Sequence, residues 1–309
     1  MTHTVITAVI PAYNAEKTLL RSVFSVLGQT HQHFELIIVD DGSSDRTLAV
    51  AQAIEDSRVT VLTQPNNGPG AARNAGLRVA TGRWVAFLDA DDTWEADFFS
   101  AALEALAAHP QLLFYFGATQ SKTATVRKPS LLATQIPFVF RADRSVKAKR
   151  LRRQVELSLC LMLADKDTIV SLGGYYERDK CTYGEDSVLS FLIFWLYPVI
   201  KSHMIVHTYN QSETGLSLSR HTNVQAKAMV LDPDYIYERL PESSHAAVRQ
   251  FIAYLASVDA QRLAKAGKST VGWQLIKDRD VLACAYQPAV MVALLRFAFY
   301  TTTGPLRSS

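Results

Sequence analysis

Three carboxylates fall within four positions in the stretch Trp84 to Trp94, WVAFLDADDTW. Asp89, Asp91 and Asp92 follow directly on a run of mostly large apolar residues, and they repel one another unless a cation joins them. Carboxylate oxygens are hard donors that suit Mg2+ or Mn2+, ions usually shared with the phosphates of a substrate. Such an ion also neutralises a diphosphate leaving group. Asp89, Ala90 and Asp91 are thereby marked as the seat of a metal-bound nucleotide diphosphate. An Asp-x-Asp tripeptide occurs often by chance, so its place at the end of an apolar run is what gives it weight. A second acidic pair, Asp40 and Asp41, closes FELIIVD and opens DDGSSDRT. Asp, Gly and Ser suit turns, and Ser44 or Asp45 can cap the next helix. That explains part of the segment, but not why two acidic clusters end two similar apolar runs.

The elements that must position these acids alternate over the first hundred residues. VITAVIP (5–11), FELIIVD (34–40), RVTVLTQ (58–64), RWVAFLD (83–89) and LLFYFGA (112–118) have the apolar runs of strands. AEKTLLRSVFSVLGQ (15–29), DRTLAVAQAIED (45–56), GAARNAGLRVATG (70–82) and EADFFSAALEALAAH (95–109) have helical spacing. Alternation of this kind predicts an α/β fold with a mostly parallel central sheet flanked by helices. Ligands bind outside the carboxyl ends of such strands. Pro11, Ala12 and Tyr13, Asp40 and Asp41, and Asp89 to Asp92 should therefore open on one edge. Farther on, SLGGYYERDKCTYGEDSVLSFLIFWLY (171–197) has a glycine-containing loop and then a helix starting near Glu185 or Asp186. Acids there also favour a helix N-terminus without any other role. VIKSHMIVHTY (199–209) suits one long strand or a strand pair, and helical spacing dominates from about His221, as in Phe251, Ile252, Leu255, Val258 and Leu263. His207 and His221 could touch a metal or phosphate, though a lone histidine is more often structural.

Bulk properties narrow the class. The chain has 309 residues, 48% of them apolar, which excludes global disorder. Its net charge is only +3, yet Arg141 to Arg153, RADRSVKAKRLRR, sets seven basic residues against one acid and so carries +6. That segment is either a solvated face or a contact with an anionic membrane or a pyrophosphate-bearing lipid. No aromatic-rich motif accompanies it, so nucleic acid is not expected as a partner. Cys160, Cys181 and Cys284 are odd in number and lack close pairing, which fits a reducing compartment rather than a disulfide scaffold or zinc site. The opening MTHTVITAVIPAYNAE has no signal-peptide pattern. The uncharged stretch VLACAYQPAVMVALL (281–295) is too short to span a bilayer and suits a core helix or an interfacial anchor. A cytoplasmic protein is expected, with peripheral contact at the inner face of the cell membrane.

AVIPAYNAEKTLLRSVFSVLGQT, FELIIVDDGSSDRT, NNGPGAARNAGLRVATGRWVAFLDADD and YGEDSVLSFLIFW, in that order, resemble the successive motifs of family 2 inverting glycosyltransferases of the bacterial surface-glycan type. The resemblance is strong over residues 4–99 and thinner over 171–220, and it does not extend into the last ninety residues. It implies a GT-A fold and a catalytic domain over 1–220. Residues 1–118 would form the nucleotide-sugar half and 119–220 the acceptor half, with a helical C-terminal extension over 221–309. It implies a UDP-sugar donor, a Mn2+ or Mg2+ cofactor, inversion at the anomeric carbon, and a glycan or lipid-linked acceptor. By the same resemblance, Pro11, Ala12 and Tyr13 line the base and ribose pocket. Asp41 accepts the imino hydrogen of a uracil-like base, with Asp40 nearby, and Arg73 approaches base or phosphates or pairs with Asp41 or Asp89. Asp89 touches the ribose beside the metal, Asp91 ligates the metal, and Asp92 is an outer partner of the metal or an acceptor contact. Direct displacement needs a base on the acceptor hydroxyl. Asp186 resembles that base, and Glu185 orients it or contacts the acceptor. TGLSLSR (214–220) resembles a serine-containing stretch that often closes the family's catalytic domain.

Three rivals are weaker. A dinucleotide-binding oxidoreductase wants Gly-x-Gly-x-x-Gly after the first strand, where PAYNAE has no glycine. A nucleotidyltransferase would share the metal but has no reason for the GED base. A catalytically inactive nucleotide-sugar-binding or scaffold protein keeps the fold, but the retained Asp91 and Asp186 argue against it.

Overall fold

The computed structural model describes residues 6–121, 138–140, 159–181, 183–210, 225–278, 281–285 and 288–303. The basic segment 141–153, the stretch 214–220 and His221 lie outside the described residues. The chain groups into two compact units. The first holds residues 1–142, 157–182 and 193–217, and the second holds 143–156, 183–192 and 218–309.

In the first unit the order is β1 (Ile6–Ala12), α1 (Leu19–Leu27), β2 (Phe34–Asp40), α2 (Thr47–Gln52), β3 (Val59–Thr63), α3 (Pro69–Val79), β4 (Trp84–Phe87), β5 (Thr93–Trp94), α4 (Phe98–Ala108), β6 (Phe114–Ser121), β7 (Phe138–Phe140), β8 (Met162–Asp165) and α5 (Lys166–Ser171). Helix α6 (Glu185–Leu196), whose residues up to 192 are grouped with the second unit, and the single long strand β9 (Val199–Tyr209) follow along the chain. Among the described residues the sheet runs β3-β2-β1-β4-β8-β6-β9-β5, with β7 also on β9. Strands β3, β2, β1 and β4 run parallel to one another. From β4 onward the sheet is mixed, because β8 runs antiparallel to both β4 and β6. Past the alternating region the sheet continues through β6, which runs parallel to β9, and β5, which runs antiparallel to β9.

Burial follows the pattern of the strands. Leu36 to Asp40 are buried without a break, as a parallel strand covered on both faces requires. Helix α3 lies so close to β1 that a Cβ on Gly76 would come 2.5 Å from Val9 Cγ1. A larger residue there would have to displace the Val9 side chain or the helix, so the glycine permits the close approach of α3 to β1. Val23 and Val26 of α1, and Phe98 and Phe99 of α4, are buried. Their helices show the apolar spacing expected from sequence.

The second unit contains α7 (Ala228–Leu231), α8 (Asp234–Tyr237), α9 (Glu242–Lys265), α10 (Ser269–Asp278) and α11 (Pro288–Thr303). Phe251, Ile252, Leu255 and Leu263 of α9 are buried. Phe191 stacks on Phe251 with centroids 5.3 Å apart and planes at 10°. The apolar run from Val281 is not one helix. A 3-10 turn covers Val281–Cys284, and α11 begins at Pro288, whose fixed φ and missing N–H suit a first helical position. No helix among the described residues is long and apolar enough to cross a membrane.

Candidate active site

The ends of β1, β2 and β4 lie side by side. Ala12 pairs with Asp40, Val9 pairs with Phe87, and the Asp41 N–H donates to the Ala12 carbonyl at 2.8 Å. Pro11, Ala12, Asp40, Asp41 and the turn from Asp89 to Asp92 therefore share one edge, as the strand-end rule anticipates. Ala12 is buried there, whereas Tyr13 is 42% exposed.

Asp41 is buried and well bonded. Its Oδ1 accepts from Gln64 Nε2 at 2.7 Å and the Asn67 N–H at 2.9 Å, and its Oδ2 accepts from the Gly68 N–H at 2.9 Å. It thus pins the turn that starts α3. Asp40 is equally buried, but among the described residues its Oδ2 meets only the Ser43 N–H, at 3.4 Å. Asp40 Oδ1 has no hydrogen-bond partner among the described residues. A buried acceptor left so is costly, so Asp40 keeps spare accepting capacity beside Asp41.

Arg73 leaves α3 toward the acids. Its Nη2 lies 2.6 Å from Asp89 Oδ1, and its guanidinium lies 4.9 Å from the centroid of the Tyr175 ring. Burial works to raise the Asp89 carboxyl, but the Arg73 charge and hydrogen bond, His207 and the Cys160 thiol outweigh it and hold it below the usual range. Asn74, the next residue, fixes the Tyr175 segment. Its Oδ1 accepts the Tyr175 N–H at 2.9 Å, and its Nδ2 donates to the Tyr175 carbonyl at 2.9 Å and to Glu177 Oε2 at 2.8 Å.

Asp89 to Asp92 form a tight turn closed by the Asp92 N–H on the Asp89 carbonyl at 3.1 Å. The Asp91 carbonyl accepts from Arg21 Nη2 at 2.8 Å, and the Asp92 carbonyl from Ser22 Oγ at 2.7 Å. The Asp92 side chain turns inward. It is buried with Oδ2 at 2.9 Å from His207 Nε2, and its Oδ1 accepts the Asn210 N–H at 3.0 Å. His207 Nδ1 in turn meets Thr119 Oγ1 at 2.9 Å. Asp92 is therefore an anchor of the acidic turn, and His207, a histidine with no motif around it, is its partner.

Carboxylate oxygens of Asp89, Asp91 and Asp92 lie within 4.8 Å of one another, with Asp92 buried and the other two half-buried. An all-oxygen set with two members on the outer side fits a hard divalent cation that also binds phosphate. Asp92, Cys160 and His207 form a second close group. There the histidine and carboxylate already satisfy each other. Glu185 and Asp186 belong to the second unit, where they open α6 directly after Gly184. Glu185 is buried and Asp186 half-buried.

Residues 7–164, just over half of the chain, match the model of glycosyl transferase family 2. The chain belongs to that family. It is 44% identical over 100 residues to the succinoglycan biosynthesis protein ExoO of Rhizobium meliloti (strain 1021), covering 32% of this chain and 29% of that one. It is also 44% identical over 93 residues to the UDP-Glc:alpha-D-GlcNAc-diphosphoundecaprenol beta-1,3-glucosyltransferase WfgD of Escherichia coli, covering 30% and 37%. The matched part thus spans about a third of these curated relatives. S. aureus TarS 1–349 in complex with UDP-GlcNAc superposes with a TM-score of 0.71 at 18% identity, covering 97% of this chain and 90% of that one. That likeness extends through the C-terminal helices and establishes the GT-A fold.

Proposed function

We propose that the protein is an inverting glycosyltransferase that moves a sugar from a UDP-sugar to a hydroxyl of a glycan or lipid-linked acceptor in surface polysaccharide synthesis. The observation that carries this reading is the Arg73–Asp89 pair beside Asp91, at the aligned ends of β1, β2 and β4. The WfgD name, a glucosyltransferase on a lipid-linked diphosphate, and the TarS complex with UDP-GlcNAc point the same way.

In this reading Pro11, Ala12 and Tyr13 flank the base and ribose, and Asp40 and Asp41 accept from the base. Asp89 meets the ribose, and Arg73 steadies Asp89 and faces the phosphates. Asp91, with Asp89, would hold Mn2+ or Mg2+, and the ion when bound would neutralise the diphosphate as it leaves. Asp92 holds the turn in place from inside. Asp186 takes the proton of the attacking hydroxyl, and Glu185 orients that carboxylate. The reading also places the protein at the inner face of the cell membrane in peripheral contact. Its support among the described residues is α11, which exposes Met291, Leu295 and Phe299 at successive turns.

The test is calorimetry of UDP with and without Mn2+, beside turnover of UDP-sugars on lipid-linked acceptors, for the wild type and Asp91→Asn. Metal-dependent UDP binding and turnover, both lost in Asp91→Asn with the melting temperature unchanged, are expected. Full turnover in EDTA would remove the metal from this reading. UDP binding without turnover on any acceptor would favour a nucleotide-sugar-binding scaffold.

A further inference from the structure

The Tyr183–Asp186 segment is gripped by helix α9, more than seventy residues farther along the chain. Arg262 Nη1 donates to Tyr183 Oη, and its guanidinium lies 5.1 Å from the centroid of the same ring. That nitrogen also donates to Asp259 Oδ1 at 3.1 Å, one turn earlier on the helix. Asp259 is buried, and its Oδ2 accepts the Lys227 N–H at 2.9 Å. The next N–H, that of Ala228, donates to the Tyr183 carbonyl at 3.4 Å. Gly184 then turns with φ +80°, and a Cβ on it would come 3.2 Å from Lys227 Cβ. Residues 183 and 184 are thus fixed at the ring hydroxyl, at the carbonyl and against Lys227, and all three holds lead back to Asp259 and Arg262.

A charged pair on one helix is a costly way to hold the neighbouring segment 183–184 if packing alone is needed. Burial raises the Asp259 carboxyl, and the Lys227 N–H, the Lys227 charge and Arg262 oppose that shift. What the pair supplies that apolar packing cannot is direction. A guanidinium whose Nη1 is shared between the Asp259 carboxylate and the Tyr183 phenol, and which lies over the same ring, sets the angle of the tyrosine, and with it the start of α6.

We propose that Arg262, ordered by Asp259, is a positioning residue that sets where Asp186 presents its carboxylate to the acceptor hydroxyl. The helical extension then takes part in acceptor activation. Arg262 touches no reacting atom and acts through Tyr183 and Gly184. The proposal rests on the reading of Asp186 as the general base.

The experiment measures kcat for transfer, the acceptor KM, UDP affinity and melting temperature. It compares Arg262→Gln, Tyr183→Phe, Asp186→Asn and the double variant Arg262→Gln/Asp186→Asn. Misplacing a catalytic group by about an ångström costs on the order of 10²-fold. Arg262→Gln should lose about that much kcat with UDP affinity unchanged, and Tyr183→Phe should fall in the same direction. The double variant should be no slower than Asp186→Asn alone, because the arginine acts only through the base. Additive losses in the double variant, or a fall in UDP affinity alongside kcat, would make Arg262 merely structural and overturn the proposal. So would an Arg262→Gln enzyme of wild-type rate when Asp186→Asn is dead. Wild-type transfer by Asp186→Asn would instead refute the base itself. If Arg262→Gln does not fold, Tyr183→Phe, which removes one oxygen, decides the matter by the same kcat and UDP readings.

Discussion

Arg73 and Asp89 form a 2.6 Å ion pair in which the guanidinium is 9% exposed and the carboxylate 38% exposed. The arginine is thus sunk into the protein and the acid faces outward, so Asp89 is aimed by a rigid partner and still accessible. Tyr175 backs the guanidinium, and Phe87 of β4 meets Tyr175 edge to face with centroids 4.9 Å apart.

Arg73→Ala removes a charge-assisted hydrogen bond, worth roughly 1.5–3 kcal/mol. UDP affinity measured by calorimetry should fall about tenfold or more, because each 1.4 kcal/mol is a factor of ten. Arg73→Lys should recover little, since an ammonium neither forks nor stacks on the Tyr175 ring. Unchanged affinity in both variants would leave Arg73 a packing residue.

His207→Ala strands the buried Asp92 carboxylate. Leaving such a group unsatisfied costs about 1–3 kcal/mol or more, so the melting temperature should drop. Mn2+ affinity, read by electron paramagnetic resonance, should drop too as the acidic turn loosens. Stability and metal affinity both equal to wild type would show that the Thr119–His207–Asp92 chain does not support the turn.

Asp40 and Asp41 should separate. Asp41→Ala frees the Asn67 and Gly68 amides, so hydrogen exchange at the start of α3 should quicken and UDP should bind more weakly. Asp40→Asn puts a donor or acceptor where Oδ1 now lacks a partner, so exchange at residues 67 and 68 should stay slow while nucleotide preference changes. Identical exchange in Asp41→Ala and wild type would contradict the pinning of that turn.

Leu295→Glu places a charge on the exposed stripe of α11 without touching its buried residues Val290, Ala293 and Phe297. Flotation with anionic vesicles at low salt should be reduced relative to wild type. No flotation of the wild type under those conditions would sink the membrane contact.

Much of the parallel half was legible because its signals are local. The unbroken apolar run of β2 and the acids at its end need no distant residue to explain them. The mixed half was not legible in the same way, because β8 is a four-residue strand that finds its place only by pairing with β4 and β6. In the candidate site the acids and Arg73 carry motif neighbours that mark them. His207 sits near the end of an ordinary strand, and only pairing with Asp92, 115 positions away, gives it a task. Arg262 lies in a helix with no motif at all, so nothing in its surroundings announces the Tyr183 contact.

The clamp of Asn74 on Tyr175 closes a chain segment of 101 residues. Contacts of that span form late, since loop-closure entropy must be met before they hold. The parallel strands β1 to β4 can assemble from the first ninety residues, but the ring behind Arg73 arrives only after residue 175, and the partners of Asp92 only after residues 207 and 210, have been made and folded back. A nascent or truncated chain ending at residue 164, where the family match stops, would carry the acids with an arginine still loose over them. In the proposed reading, the site would therefore be completed late in the life of this chain, by contacts that reach back from residues 175 and 207.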